Sequence, residues 1–113
     1  MIDSTEFGLV VVNGKIYRSD VLVFWDGEVK KLEVSVRHLF GMPEFREVEK
    51  RRPEVLIIGN GQYGLLEVSR EVIDACDREG IKFFKMNSKE AIKKFNEILR
   101  EGRRVVAFIH VTC

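Results

Sequence analysis

From Phe7 to Val36, apolar and polar positions alternate in short bursts, "FGLVVV", "KIYRSDVLVFW" and "EVKKLEVSV", punctuated by Asn13-Gly14 and Asp26-Gly27. Both dipeptides tolerate the positive φ of two-residue hairpin turns, and both sit between β-branched and aromatic runs, so this half predicts an antiparallel β meander. The pattern then lapses. Residues 37–54, "RHLFGMPEFREVEKRRPE", hold both prolines and no clean alternation, which predicts a linker or a short helix.

Beyond residue 54 the period changes. "EVLIIG" is a continuous apolar run of the kind buried on both faces of a sheet, and it predicts a central strand. Ser69 is placed to cap a helix through "REVIDACDRE", with Val72, Ile73 and Cys76 on one face and Gly80 as a left-handed exit. "IKFFKM" predicts the next strand. Asn87 and Glu90 then have the N-cap to N3 spacing of a capping box, opening a helix that runs to about Glu101. Along it Ala91, Ile92, Phe95, Ile98 and Leu99 make one apolar stripe, leaving Lys93, Lys94, Glu97 and Arg100 for solvent. Gly102 ends the helix and "RRVVAFIHV" supplies a last strand. The second half is therefore a βαβαβ unit with right-handed crossovers, and residues 1–113 read as one α/β domain.

Composition narrows the function. The 113 residues, 45% hydrophobic and 33% charged, are enough for one sizeable core. Nineteen basic residues against eighteen acidic ones leave a net charge of +1, so nothing in the balance attracts a nucleic acid. No stretch approaches the roughly 18 apolar residues of a membrane span. "MIDSTEFG" has no basic region followed by an apolar run, which gives the expectation of a cytoplasmic protein. Cys76 and Cys113 are too few for a disulfide framework, in keeping with a reducing compartment. Abundant Lys, Glu and Arg beside a single glutamine, Gln62, is a hyperthermophile-like bias.

The most chemical-looking stretch is "LIIGNGQYG", Leu56 to Gly64, a predicted strand running into G-x-G-x-x-G. A dinucleotide fingerprint starts its helix inside the glycines, so that unpaired N–H groups face the pyrophosphate. Here "LLEV" separates Gly64 from the Ser69 cap, and the next strand ends Lys85, Met86, Asn87 where a ribose-binding carboxylate would stand. The glycines therefore read as a structural turn or a pocket wall, and no nucleotide cofactor is expected. A metal is not expected either. His110 and Cys113, three apart on an extended strand, point to opposite faces, and neither His38 nor Cys76 has a ligand at a local spacing. Cys76 lies on an apolar helix face that favours packing over thiolate chemistry, and at Cys113 a terminal carboxylate opposes a second negative charge. Arg51-Arg52 and Arg103-Arg104 read as solvated strand ends.

Several of these segments together, "FGLVVVNGKIYRSDVLV", "VLIIGNGQYG", "GIKFF" and "EAIKKFNEILREGRRVVAFIHVTC", resemble the Mth938-like domain family over nearly the whole chain. The most specific part is Ala91 with Phe95-Asn96, Gly102 and the ending His110 to Cys113. The resemblance implies a three-layer α/β fold, a β layer beside a mixed central sheet flanked by helices. It brings no catalytic residue and no cofactor, and what is known of relatives concerns assembly and differentiation, including an adipogenesis-associated protein and a mitochondrial complex I assembly factor. This chain departs in having Asn87-Ser88 where many relatives open the last helix with threonine. It also has no mitochondrial targeting segment, so the complex I role is not expected to transfer.

Three functions follow as expectations. The first is a non-catalytic interaction or assembly module with a protein partner. The second binds a small anionic or nucleotide-like ligand where open α/β sheets place one, with Gly59, Asn60, Gly61, Gln62, Tyr63, Gly64 and His38 forming one recognition surface. The third, a small hydrolase or oxidoreductase, would take His38 as base and lacks an identifiable nucleophile.

Overall fold

The computed structural model describes residues 1–113. Its first layer is a three-stranded antiparallel sheet, β1 (Ile2–Glu6), β2 (Leu9–Val12) and β3 (Lys15–Tyr17). β1 precedes the first predicted strand. Only Ile2 and Thr5 of it are buried and a bulge shifts its register between Ile2 and Ser4, so it carries no period of two. Phe7-Gly8, read as a strand start, is the β1–β2 turn, whereas Asn13-Gly14 is the expected tight turn with both residues at positive φ.

The predicted meander divides after β3. "KIYRSDVLVFW" is two strands in two sheets, because the chain crosses at Arg18–Asp20 into β4 (Val21–Phe24), which is buried at every position. β5 (Val29–Lys31) follows a turn in which Gly27 has positive φ and Asp26 does not, so this turn is not the two-residue type expected. The segment read as a linker or short helix holds both a two-residue strand, β6 (Leu39–Phe40), and a helix, α1 (Met42–Glu49). Pro43 sits in the first turn of α1, where a missing N–H removes no helical bond, and Glu44 accepts from the Gly41 N–H at 2.8 Å.

The remaining elements follow the predicted order: β7 (Val55–Gly59), α2 (Arg70–Glu79), β9 (Lys82–Met86), α3 (Ser88–Arg100) and β10 (Val105–Ile109), with a short β8 (Glu67–Val68) that pairs with β6. Ser69 and Asn87 cap α2 and α3 as expected, accepting from Val72 N at 3.3 Å and Glu90 N at 3.0 Å. The central sheet has the order β5-β4-β10-β7-β9, in which β10 is parallel to β7, β7 is parallel to β9, and β4 is antiparallel to β10.

Alternate residues of this sheet feed two cores. Val21, Val23, Val55, Ile57, Val105, Ala107 and Ile109 pack with Ala91, Ile92, Phe95 and Ile98 of α3 and with Ile2, Val10 and Val12 of the small sheet. Leu22, Phe24, Leu56, Ile58, Val106 and Phe108 pack on the other face against Phe45 and Val48 of α1 and Val72, Ala75 and Cys76 of α2. This is the expected three-layer α/β architecture, and no helix is long and apolar enough to cross a membrane.

Asn96 ties the first layer to α3. Its side-chain oxygen accepts from Ile2 N at 2.9 Å and its amide nitrogen donates to Ile2 O at 2.7 Å, replacing the ladder partner that an edge strand lacks. Asn96→Ala is expected to cost about 1–3 kcal/mol by chemical denaturation, since it orphans two half-buried backbone groups. Hydrogen exchange at the Ile2 amide should rise with it; a loss of stability without faster exchange there would place the effect elsewhere.

Candidate functional site

The glycine loop leaves β7 at Gly59 and reaches β8 at Glu67, and the segment following β10 runs through it. His110 N donates to Gly59 O at 3.0 Å, Gln62 N to Thr112 O at 2.9 Å, and Tyr63 N and Leu65 N to Cys113 O at 2.9 and 3.2 Å. From the α3 side, the fully buried Ser88 hydroxyl accepts from Gly61 N at 3.0 Å and donates to His110 O at 2.6 Å. Asn60 N is taken by Met86 O at 2.8 Å. The loop is filled by its own chain.

That filling accounts for two of the glycines. A Cβ at Gly61, where φ is +110°, would lie 2.5 Å from Thr112 O, and one at Gly59 would lie 3.1 Å from the Ser88 backbone. A phosphate-like anion needs several converging free N–H groups, and those of Asn60, Gly61, Gln62, Tyr63 and Leu65 already have partners. The helix of the motif does begin late, at Arg70, as the sequence predicted.

His38 lies at the tip of the connection between β5 and α1, at φ +62°. The buried carboxylate of Glu44 holds that connection, accepting from Ser35 N at 3.0 Å and Ser35 Oγ at 2.9 Å, while His38 O accepts from Glu67 N at 2.8 Å. The ring faces a pocket of about 450 Å³ lined also by Asp20, Glu33, Arg37, His110 and Cys113. Asp20, just ahead of β4, takes Val111 N at 2.9 Å through one oxygen and meets His110 Nδ1 at 2.8 Å through the other. One ligand atom from each of His38, His110 and Cys113 lies within 4.8 Å of the others.

This corrects the geometry behind the expectation of no metal. β10 ends at Ile109, so residues 110–113 do not follow the strict alternation of a strand, and His110 and Cys113 converge where extended geometry would separate them. Asp20 was concealed inside what read as one continuous strand. The dipeptide Ser19-Asp20, a polar break in an apolar run, was the available signal.

The proposed recognition residues do not open into one depression. His38 faces the pocket beside Cys113, whereas Gln62 and Tyr63 line a second depression of about 400 Å³ with Glu6, Phe7, Asn87, Lys89 and Glu90. Gly59 and Gly61 face chain, Asn60 is buried and donates to Gly64 O at 3.3 Å, and Gln62 donates to Thr5 Oγ1 at 3.2 Å. Tyr63 is 74% exposed, its ring centroid 6.3 Å from that of Phe7, itself 62% exposed. Phe7 is a residue the sequence reading left inside a strand.

Other chemical candidates resolve locally. Burial pushes the Cys76 thiol up to about 11, with the Glu79 charge adding to it, so packing is its role. Arg51 pairs with Asp26 at 2.6 Å and with Glu28, and stacks 4.5 Å from the Phe24 ring. Arg52 and Arg104 border a depression of about 620 Å³ that also holds Glu49 and Glu79, so its charge is mixed. A hydrogen bond that its protonated form donates to Glu49 raises the Glu79 carboxyl above its usual range, with burial and the Glu49 charge contributing.

Fold and site thus define a three-layer α/β domain whose C-terminal segment occupies the sheet's crevice. Residues 2–110 match the family described as protein of unknown function (DUF498/DUF598), and the chain belongs to that family. Among solved structures, MT938 is 35% identical with a TM-score of 0.83, covering 100% of this chain and 98% of its own. A conserved hypothetical protein from Pyrococcus horikoshii is 26% identical with a TM-score of 0.88, covering 100% of this chain and 99% of its own. A Mth938-like domain from Bordetella pertussis, 17% identical with a TM-score of 0.73, covers 98% of this chain and 85% of its own and shows the fold alone. The family resemblance read from the sequence is therefore correct.

Two predictions follow from this geometry. Gly61→Ala should cost about 1–3 kcal/mol in denaturant titrations, through positive φ and the Thr112 clash together; a change under about 0.5 kcal/mol, the ordinary surface range, would mean the segment is loosely seated. For Glu79, a raised folded-state pKa means the folded chain binds its proton more readily than the unfolded one, so this carboxyl contributes stability as pH falls and repulsion as pH rises. Glu79→Gln should therefore raise the melting temperature at pH 7 and lose that advantage near pH 4; an equal shift at both would assign the effect to something other than Glu49.

Proposed function

We propose that this chain is a non-catalytic interaction module that docks a protein partner through the Phe7 and Tyr63 rings. The single supporting observation is that two adjacent aromatic side chains, 62% and 74% exposed, are mounted on turns anchored to the same segment after β10. Gly8 N donates to Val111 O at 2.7 Å and Tyr63 N to Cys113 O at 2.9 Å, so both rings are pre-positioned and lose little backbone freedom on binding. Leu65, 60% exposed, adds an apolar neighbour in sequence, and Glu6, Lys89 and Glu90 give the depression a charged rim.

Covering the exposed parts of both rings offers about 2–4 kcal/mol, enough to anchor a transient contact and too little for a permanent one by itself. The partner this surface fits presents an apolar or aromatic side chain flanked by charges of both signs.

The test compares proteins that co-purify with the tagged chain and with its Phe7→Ser/Tyr63→Ser double variant, alongside a photo-crosslinker placed at position 63. A partner crosslinked at 63 should be retained at least roughly 30-fold less well by the double variant, the factor that 2 kcal/mol represents. Stability should move by no more than about 0.5 kcal/mol, since both rings are exposed. Identical recovery of every partner by the variant would overturn the reading.

A further inference from the structure

We propose that His38, His110 and Cys113 form a binding site for a borderline-soft divalent cation of the Zn²⁺ class. Two imidazoles and a thiolate are the donor set such an ion selects, and three protein ligands leave a fourth tetrahedral position open to water. The three ligand atoms lie within 4.8 Å of one another, against about 3.3–3.6 Å between ligand atoms around a tetrahedral zinc, so closure needs about 1 Å of side-chain movement. The site comes from three separated parts of the chain: the connection ahead of α1, the exit of β10 and the residue beside the glycine loop.

Each imidazole is prepared differently. An ionised Asp20 can only accept, so His110 Nδ1 carries the proton in the 2.8 Å contact and Nε2 presents its lone pair. That carboxylate–histidine arrangement fixes the tautomer and orientation of a metal-ligating imidazole. The Nε2 atom is met only by the Thr112 hydroxyl at 3.3 Å, which can rotate away. His38 has a buried Nδ1 with no hydrogen-bond partner, a cost that a structural histidine does not explain.

Arg37 opposes the ion. Its Nε donates to His38 Nε2 at 3.2 Å. A metal on Nε2 would displace that donor, and a metal on Nδ1 would move the ring proton to Nε2, where it would face the Arg37 N–H. The Arg37 side chain is exposed and free to swing out. Cys76 does not compete, because it is buried between α2 and the central sheet.

The test titrates chelator-treated protein with Co²⁺, then displaces it with Zn²⁺. One equivalent of Co²⁺ per chain should give tetrahedral visible bands and a thiolate-to-cobalt charge-transfer band, and Zn²⁺ should abolish both. Asp20→Asn should weaken binding by roughly 10–100-fold, as loss of an outer partner does. Cys113→Ser should weaken it further and remove the charge-transfer band. Arg37→Ala should tighten it, an outcome that a purely structural His–His–Cys cluster would not produce. His38 and Cys113 are half-buried, so their variants are expected to fold, with circular dichroism as the check; if Asp20→Asn fails to fold, Cys113→Ser and Arg37→Ala decide. No uptake of either ion at one equivalent, or unchanged affinity and spectrum in both Cys113→Ser and His38→Gln, would overturn the proposal.

Discussion

β10 is the strand on which the molecule closes. It is paired on both edges, antiparallel to β4 and parallel to β7, and every one of its five residues is buried. Val105, Ala107 and Ile109 complete one core while Val106 and Phe108 complete the other, so neither core is finished until the last strand in sequence is seated. Its partners lie far away along the chain. Val106 pairs with Phe24 and with Leu56, and such non-local pairing repays loop-closure entropy only once the whole sheet forms.

The same constraint governs what happens past Ile109. Once β10 is fixed between β4 and β7, residues 110–113 emerge between Asp20, at the start of β4, and the glycine loop, at the end of β7. Their backbone groups then need partners, and they find them on both sides: Asp20 on one, Gly59, Gln62, Tyr63 and Leu65 on the other. The glycines are thus a consequence of strand order. Gly61 permits the approach of Thr112, and Gly59 permits the approach of α3.

How much of this the sequence showed varies with how local the cause was. β7, α2, β9, α3 and β10 were legible because each has a continuous or 3.6-residue apolar pattern, and the caps at Ser69 and Asn87 act through neighbours three residues away. β1 was not legible, since a bulge and three exposed residues erase its period and its anchor is Asn96, ninety-four residues away. The division between β3 and β4 was hidden because Arg18–Asp20 is too short to look like a change of sheet. The late start of α2 was legible from the spacing of Gly64 and Ser69, but the occupant of the glycine loop is a tertiary fact. His38 and Cys113 meet only because one turn takes φ +62° and the chain stops being a strand after Ile109.

In open α/β sheets the ligand crevice forms at the carboxyl ends of parallel strands whose connections run to opposite faces. β7 and β10 are such a pair, since β7 leads into α2 in one outer layer and β10 is reached through α3 in the other. Here residues 110–113 occupy that crevice and divide it. What remains is one depression toward the α1 side, holding Asp20, His38, His110 and Cys113, and one toward the α3 side, holding Phe7, Tyr63 and Lys89. The first has converging nitrogen and sulfur donors, and the second has exposed rings with a charged rim. Cys113 links the two, because its side chain lines the first depression and its backbone oxygen holds Tyr63, which lines the second.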